Sequence, residues 1–356
     1  LLISTKAKKG YNQKMKKPSA DVDPNCRYRR SDDGLPWFVH FNVTTRCNMR
    51  CAMCQSNVSD RTLGPTKDIL SFIDRLGAWL PMPRQVVLTG GEPLLHPDLV
   101  KIVRRLSEVG FIPSLNTNGA DLGVQMVNEL VDAGLKIINF SIDGIGEIHD
   151  NQRHGPGLYR GVMNMIEHIT SHTDLIVSVV SVIAAFSTQG LPDLVRLVSK
   201  NPQISGIRFQ AVVPVLSMPW HHSFFDESDL WPRTTKEQNQ VMDTLDELRT
   251  LKEQGFPIRT PFSQFDLWER YFRDPKNFLA ERPCRVGEDN LMVQPDGAIL
   301  LCNKHEQLGT IKDDPKIMWN SDAAQKTRAQ MRDCKHPCNF VVNCSYIEDD
   351  DDCCEC

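Results

Sequence analysis

Short apolar runs alternate with amphipathic stretches at a spacing of about 30 residues through the first two thirds of the chain, and this alternation restricts the fold more than any other feature. Residues 37–43, 84–88, 112–116, 136–142, 175–183 and 206–212 read as strands. Helical periodicity fills the intervals at 66–80, 97–109, 124–133, 158–171 and 191–200, with Pro97 opening one helix and Gly110 and Gly134 closing others. This order predicts right-handed βαβ units around a parallel sheet whose strands are buried on both faces. Periodicity alone does not separate a closed barrel from an open doubly wound sheet.

With 356 residues the chain exceeds the usual single domain, so one large domain with an appendage, or two domains, is expected. A net charge of -4 argues against a general nucleic-acid binder, although specific RNA contacts stay open. The longest apolar run, 175–186, is broken by serines and is shorter than the roughly 18 to 20 residues of a membrane span. The first ten residues lack the apolar core of a secretory signal and do not begin with Met. A cytoplasmic, non-membrane protein is the expectation. Residues 1–35, with Lys8, Lys9, Lys14, Lys16 and Lys17 and no apolar face, read as a flexible basic arm, either a solvated tail or a leash for an acidic partner. A long helix is predicted over 235–253. The aromatic residues Phe262, Phe265, Trp268, Tyr271 and Phe272 that follow have the spacing of a helix core.

Of the 12 cysteines, all but Cys26 fall in two groups, which on a large chain favours metal ligation over a disulfide scaffold. The first group, Cys47-Asn-Met-Arg-Cys51-Ala-Met-Cys54, supplies three thiols and no fourth ligand nearby, where a structural zinc site would close with a further Cys or His. Beginning 36 residues beyond Cys54, Gly90-Gly91-Glu92-Pro93 places a carboxylate after two glycines at a strand end. Such a carboxylate can accept hydrogen bonds from an ammonium. Asn116-Thr117-Asn118-Gly119, Ser141-Ile142-Asp143-Gly144 and His149-Asp150-Asn151-Gln152-Arg153 fall at the ends of later strands. Turn or cap formation accounts for Asn118 or Asp143 equally well.

The Cx3Cx2C loop followed by GGEP resembles the radical SAM superfamily. The resemblance implies an α/β fold, a partial (β/α)6 TIM-like barrel open on one side, here over residues 36–233 with a helical linker over 234–280. It implies a 4Fe-4S cluster on Cys47, Cys51 and Cys54, with S-adenosylmethionine (SAM) at the open iron. Gly90, Gly91, Glu92 and Pro93 would meet the methionine amine, Met53 the adenine, and Asn116 and Asn118 the cofactor or substrate. Ser141 and Asp143 would face the ribose, and Arg153 the SAM carboxylate. Met53 packing against the sheet end is the equal alternative. Reduction by a flavodoxin- or ferredoxin-type donor, SAM cleavage to a 5'-deoxyadenosyl radical and hydrogen abstraction from substrate are implied. No residue identifies the bond attacked.

The second group is Cys284-x12-Gly297-x4-Cys302, then Cys334, Cys338 and Cys344, then Cys353, Cys354 and Cys356. The first segment predicts a hairpin turning at Asp296-Gly297, which brings Cys284 and Cys302 together. It resembles the opening of SPASM and twitch extensions, with Leu308-Gly309-Thr310-Ile311 resembling the segment that follows. This implies a small Cys-rich α+β auxiliary-cluster domain over 281–356. Beyond Cys302 the pattern departs: the gap after Cys334 is one residue too long, and Glu348 stands where a sixth ligand would fall, leaving Cys353, Cys354 or Cys356 to substitute. Eight thiols suffice for one or two auxiliary 4Fe-4S clusters, with zinc as the alternative. A tail thiol not used as a ligand could donate hydrogen to a substrate radical. Relatives with this extension often modify peptides or proteins by crosslinking, epimerisation or maturation; others act on small metabolites such as sugars, cofactors or antibiotic precursors. A thiolate-metal or electron-transfer protein without SAM chemistry is the remote alternative, against which the GGEP segment speaks.

Overall fold

A computed structural model describes residues 33–54, 62–214, 223–279, 283–335 and 338–344. The arm through residue 32, with Cys26, lies outside the described residues, as do Glu348, Cys353, Cys354, Cys356 and the side chain of Cys344. The order is β1 (Phe38–Thr44), α1 (Thr66–Trp79), β2 (Gln85–Gly90), α2 (Leu99–Val109), β3 (Ile112–Thr117), α3 (Val124–Asp132), β4 (Ile137–Ser141), α4 (Glu147–Arg153), α5 (Leu158–His172), β5 (Ile176–Ile183), α6 (Leu191–Val198) and β6 (Ile204–Ala211). After α7 (Ser223–Glu227), α8 (Thr235–Glu253) and α9 (Phe262–Arg273) come α10 (Val286–Asp289), β7 (Asn290–Val293), β8 (Ala298–Leu300), β9 (Gly309–Thr310), α11 (Pro315–Trp319), α12 (Asp322–Asp333) and α13 (Asn339–Cys344).

Strands β1 to β6 lie side by side in chain order, all parallel, with β6 at one end of the sheet. β6 pairs with β5 and not with β1, so the sheet is open, as in a partial (β/α)6 barrel. Its outer face carries the core. On β1, Val39, Phe41 and Val43 are buried against Ile69, Phe72, Ile73 and Leu76 of α1, which recur at the spacing of one helix face. Burying four such side chains contributes roughly 6 to 12 kcal/mol, so apolar patterning decides which face each strand turns outward.

The expectation of strands buried on both sides holds for β2 and β4, where consecutive residues are buried, and not for β5. β5 alternates half-buried and buried positions along its whole length, and the inward row across β3, β4 and β5 is polar. There the Asn139 carboxamide donates to Ser114 Oγ at 3.1 Å and Asn116 Oδ1 at 2.8 Å, and its oxygen accepts from Ser178. An open barrel leaves its lumen unfilled by helices, so these positions satisfy one another instead of packing apolar groups.

The C-terminal elements extend this sheet. β7 pairs parallel with β1, and β8 and β9 follow antiparallel, giving nine strands in the order β6-β5-β4-β3-β2-β1-β7-β8-β9. The predicted hairpin is β7–β8, with Gly297 at a φ of +89°. At the opposite edge, Asn343 of α13 pairs with Ala211 at the end of β6, its oxygen accepting the Ala211 N–H at 2.7 Å and its amide donating to the Ala211 carbonyl at 2.9 Å. The C-terminal segment therefore grips both edges of the six-stranded unit. The aromatic residues of α9 are core as expected: Phe265, Trp268, Tyr271 and Phe272 are fully buried, and Trp268 Nε1 donates to the Val342 carbonyl at 2.9 Å.

Candidate functional site

The cysteine loop leaves the end of β1, and its stem is pinned by the segment after β2. Gly91 N–H donates to the Thr44 carbonyl at 2.7 Å and Glu92 N–H to the Arg46 carbonyl at 2.8 Å. These bonds need glycine. A Cβ on Gly91 would lie 2.1 Å from the Arg46 oxygen, and one on Gly90, whose φ is +132°, would lie 2.3 Å from the Thr44 oxygen. The glycine pair thus lets the backbone approach the stem of the cysteine loop closely. Pro93 then opens a single 3-10 turn capped by Glu92.

Glu92 is buried at 1 % exposure. Its Oε1 accepts from Leu94 N at 3.1 Å and Thr117 Oγ1 at 2.8 Å, and its Oε2 accepts from Asn118 N at 2.8 Å. Burial pushes its pKa above the usual carboxylate range, and the three donors pull against that shift. An ionised carboxylate offers about four acceptor positions. With three filled, Oε2 keeps one for a further donor.

The three thiols of the loop stand together near this carboxylate: Cys47 is half-buried, Cys51 buried and Cys54 exposed. Burial raises the Cys47 and Cys51 thiols, Cys51 to about 11, and the charges of Glu92, Arg153 and the neighbouring cysteines act on them. Both stay protonated near neutral pH, so ligating a metal releases protons. Met49 N–H points at Cys47 Sγ at 3.4 Å. Among the described residues no group of three or more His, Cys, Asp or Glu side chains is spaced to share a single metal ion. A multi-iron cluster makes a different demand, since each thiolate ligates its own iron. Three thiols on one loop, beside a carboxylate with an acceptor position unfilled, fit a cluster with one iron left for a small ligand.

Helix α4 braces the far side of the loop. The Gln152 carbonyl accepts from Ala52 N at 3.0 Å, and Gln152 Nε2 donates to Met53 Sδ at 3.3 Å. Arg153 Nη1 approaches Cys51 Sγ at 3.9 Å. Asn118 ties β3 to the loop through Asn48 at 2.9 Å, and Asn48 also donates to Asp121 at 2.7 Å.

The structure thus gathers Cys47, Cys51, Cys54, Met53, Gly90, Gly91, Glu92, Pro93, Asn118 and Arg153 around one loop. Asn116 turns instead into the lumen toward Asn139, and Ser141 ends β4 opposite Val180. Asp143 is held by partners within the protein. It is fully buried, with Oδ1 accepting Val182 N at 2.9 Å and Oδ2 paired with Arg153 at 2.7 Å. Arg153 faces that carboxylate and Cys51. Sequence reasoning missed Thr117, Asn48 and Gln152. Each lies inside a quoted motif, between residues already singled out, so the motifs themselves carried the signal.

The second thiol group converges as well. Hairpin β7–β8 and the segment before α13 bring Cys284, Cys302, Cys334 and Cys338 near enough that each adds charge to its neighbours' environment. Burial pushes Cys284 to about 12 and raises Cys302 and Cys338. Backbone N–H groups point at the sulfurs of Cys284, Cys302 and Cys338, a shell that favours thiolates.

An open parallel barrel with a three-thiol loop at its strand ends, joined to a four-thiol module, carries the donor set of a thiolate-metal protein. Residues 41–200 match the family model of the radical SAM superfamily and residues 284–345 that of SPASM, an iron-sulfur cluster-binding domain. The chain thus carries a radical SAM domain and a SPASM domain. Among relatives, PqqA peptide cyclase of Bradyrhizobium diazoefficiens is 25% identical over 338 residues, spanning 91% of this chain and 82% of that protein. AdoMet-dependent heme synthase of Methanosarcina barkeri is 34% identical over 136 residues, but this match spans 38% of that protein's length. Among solved structures, anSMEcpe with bound AdoMet and Cp18Cys peptide superposes with a TM-score of 0.63 at 17% identity, covering 87% of this chain and 88% of that one. Streptococcus suis SuiB bound to precursor peptide SuiA gives 0.64 at 12% identity, covering 88% and 71%. No helix among the described residues is long and apolar enough to cross a membrane.

Proposed function

We propose that this chain is a radical SAM enzyme that modifies a peptide or protein substrate. The observation that carries the reading is the extent of the match to PqqA peptide cyclase, which runs through both the barrel and the SPASM domain. Matches to enzymes of small molecules are shorter: the GTP 3',8-cyclase of Nitrobacter winogradskyi, at 39% identity, spans about a third of each chain, and the Fe-coproporphyrin III synthase of Methanosarcina barkeri, at 26%, spans 66% of this chain and 57% of that protein. Oxidation or rearrangement of a small metabolite is therefore the second reading.

Cys47, Cys51 and Cys54 would hold a 4Fe-4S cluster, which, reduced by a flavodoxin- or ferredoxin-type donor, would supply the electron that cleaves SAM to methionine and a 5'-deoxyadenosyl radical. Glu92 uses its open Oε2 position to accept a hydrogen bond from the SAM ammonium. Asn118 and Met53 line the approach to the same loop. Asn116, whose carboxamide oxygen is held by Asn139, offers its amide N–H groups from this polar row to a substrate in the lumen. Cys284, Cys302, Cys334 and Cys338 would close one auxiliary 4Fe-4S cluster, with Cys344, Cys353, Cys354 and Cys356 left for a second.

The test is anaerobic reconstitution with iron and sulfide, reduction with dithionite, and assay of 5'-deoxyadenosine with SAM and peptides encoded beside the gene. Mass-shifted peptide supports the reading. SAM cleavage that modifies only a small metabolite selects the second reading, and absence of cleavage where a control enzyme is active overturns both.

A further inference from the structure

Arg153 and Asp143, which the resemblance sets near SAM, also form a buried ion pair with each other. Arg153 is 7 % exposed and Asp143 0 %, and the pair is closed by Arg153 Nε at 2.8 Å and Nη2 at 2.7 Å from Asp143 Oδ2. Burying two charges costs several kcal/mol per ion, and a well-packed apolar pair at such a place is often as stable or more so. A buried pair of this kind is explained when one member acts on a third charge. Asp143 is itself fixed, since Oδ1 accepts Val182 N and its own N–H donates to His149 Nδ1 at 3.2 Å. The guanidinium it holds therefore has one orientation, with Nη1 directed at Cys51 Sγ at 3.9 Å. The neighbouring backbone bond from Ala52 to Gln152 fixes the loop against the same helix end.

Resting on the cluster assignment above, we infer that Arg153 is a positioning residue for charge, held by Asp143 so that its guanidinium offsets the thiolate of Cys51 and sets how readily the loaded site accepts an electron. Reduction adds one electron from dithionite, which is oxidised, and no proton. A cation beside a cluster sulfur favours the reduced state, and net charge and hydrogen bonds to the sulfurs are known determinants of cluster potentials. The two members of the pair then act in opposite directions. Removing the Arg153 charge disfavours reduction, whereas removing the Asp143 charge favours it.

The experiment is a potentiometric titration of the reconstituted full chain followed by electron paramagnetic resonance. The Cys47→Ala/Cys51→Ala/Cys54→Ala variant supplies the auxiliary signal for subtraction, and iron content and circular dichroism are measured alongside. In Arg153→Gln the oxidised-to-reduced ratio at the wild-type midpoint is expected to rise about tenfold, equivalent to about 59 mV for a one-electron couple. Arg153→Lys is expected to restore most of that shift, and Asp143→Asn to move the midpoint the other way. Midpoints unchanged in Arg153→Gln, or displaced in the same direction in both charge-removing variants, overturn the inference. If Arg153→Gln does not fold, Asp143→Asn decides by its sign. A wild-type chain with no signal beyond that of the triple cysteine variant fails the cluster assignment itself, and the inference with it.

Discussion

The two thiol groups of this protein solve different problems with the same side chain. In the first, three cysteines sit on one loop and a buried carboxylate, Glu92, stands beside them with an acceptor position unfilled. In the second, four cysteines from two segments converge and backbone N–H groups face the sulfurs. The first arrangement is built to receive a ligand and the second to close on its metal. The contrast teaches that the coordination number of the loop is only half of the site. What stands opposite the open corner decides whether it is a defect or a binding position.

The sharpest break in the comparison comes from the cysteines. Cys47→Ala/Cys51→Ala/Cys54→Ala is expected to abolish 5'-deoxyadenosine formation while iron at the second group remains, and Cys302→Ala to lower iron content while SAM cleavage at the first group persists. Iron, sulfide and nucleoside assays on the two variants check this; equal loss of both readouts in both variants would erase the division of roles. Acid is the next largest effect, and it falls on the first region. Burial, followed by the Arg153 charge, holds the His149 imidazole at about 4, below its ordinary 6.5. The fold accommodates the neutral ring, whose Nδ1 accepts the Asp143 N–H, and Nε2 has no hydrogen-bond partner among the described residues. Its contribution is complete above pH 6.5 and is lost as pH falls toward 4, by about 3 kcal/mol. Denaturant titrations at pH 7 and pH 4.5 should show the wild type losing more stability than His149→Gln; parallel losses would remove His149 as the cause.

Gly91→Ala is expected to cost roughly 2 kcal/mol, because the new methyl meets the Arg46 carbonyl and the stem of the loop must shift. Glu92→Gln should leave iron content intact and weaken SAM binding about tenfold, the scale of one charge-assisted hydrogen bond, as read by equilibrium dialysis. Unchanged affinity would take the ammonium away from Glu92. The smallest effect belongs to the second region: Gly297→Ala should cost about 1 kcal/mol through its positive φ, measured by thermal melting, without altering SAM binding.

Much of this molecule was legible in advance for a plain reason. An apolar run is written in neighbouring residues, so β5, predicted at 175–183, is observed at Ile176–Ile183. The hairpin turn at Gly297 was legible because an Asp-Gly pair between apolar runs has few other uses. Less legible was the inner face. Ser114, Asn139 and Ser178 lie far apart in the chain and look like unremarkable polar positions until the register aligns them. Asp143 is a related case: a carboxylate at a strand end reads as a ligand group, and only the fold shows that Arg153 from the next helix and the Val182 N–H fill three of its acceptor positions.

The amino-acid order alone determined the parallel α/β architecture and the two thiol groups, because helix and strand periods and cysteine spacing are written in neighbouring residues. Tertiary structure decided the rest. It set β7 against β1 and Asn343 against β6, so that the SPASM domain holds both edges of the barrel. It also gave Glu92 its three donors and aimed Arg153 at Cys51. Those outcomes depend on which buried polar groups meet across long stretches of chain, and a buried charge takes its chemistry from its partners.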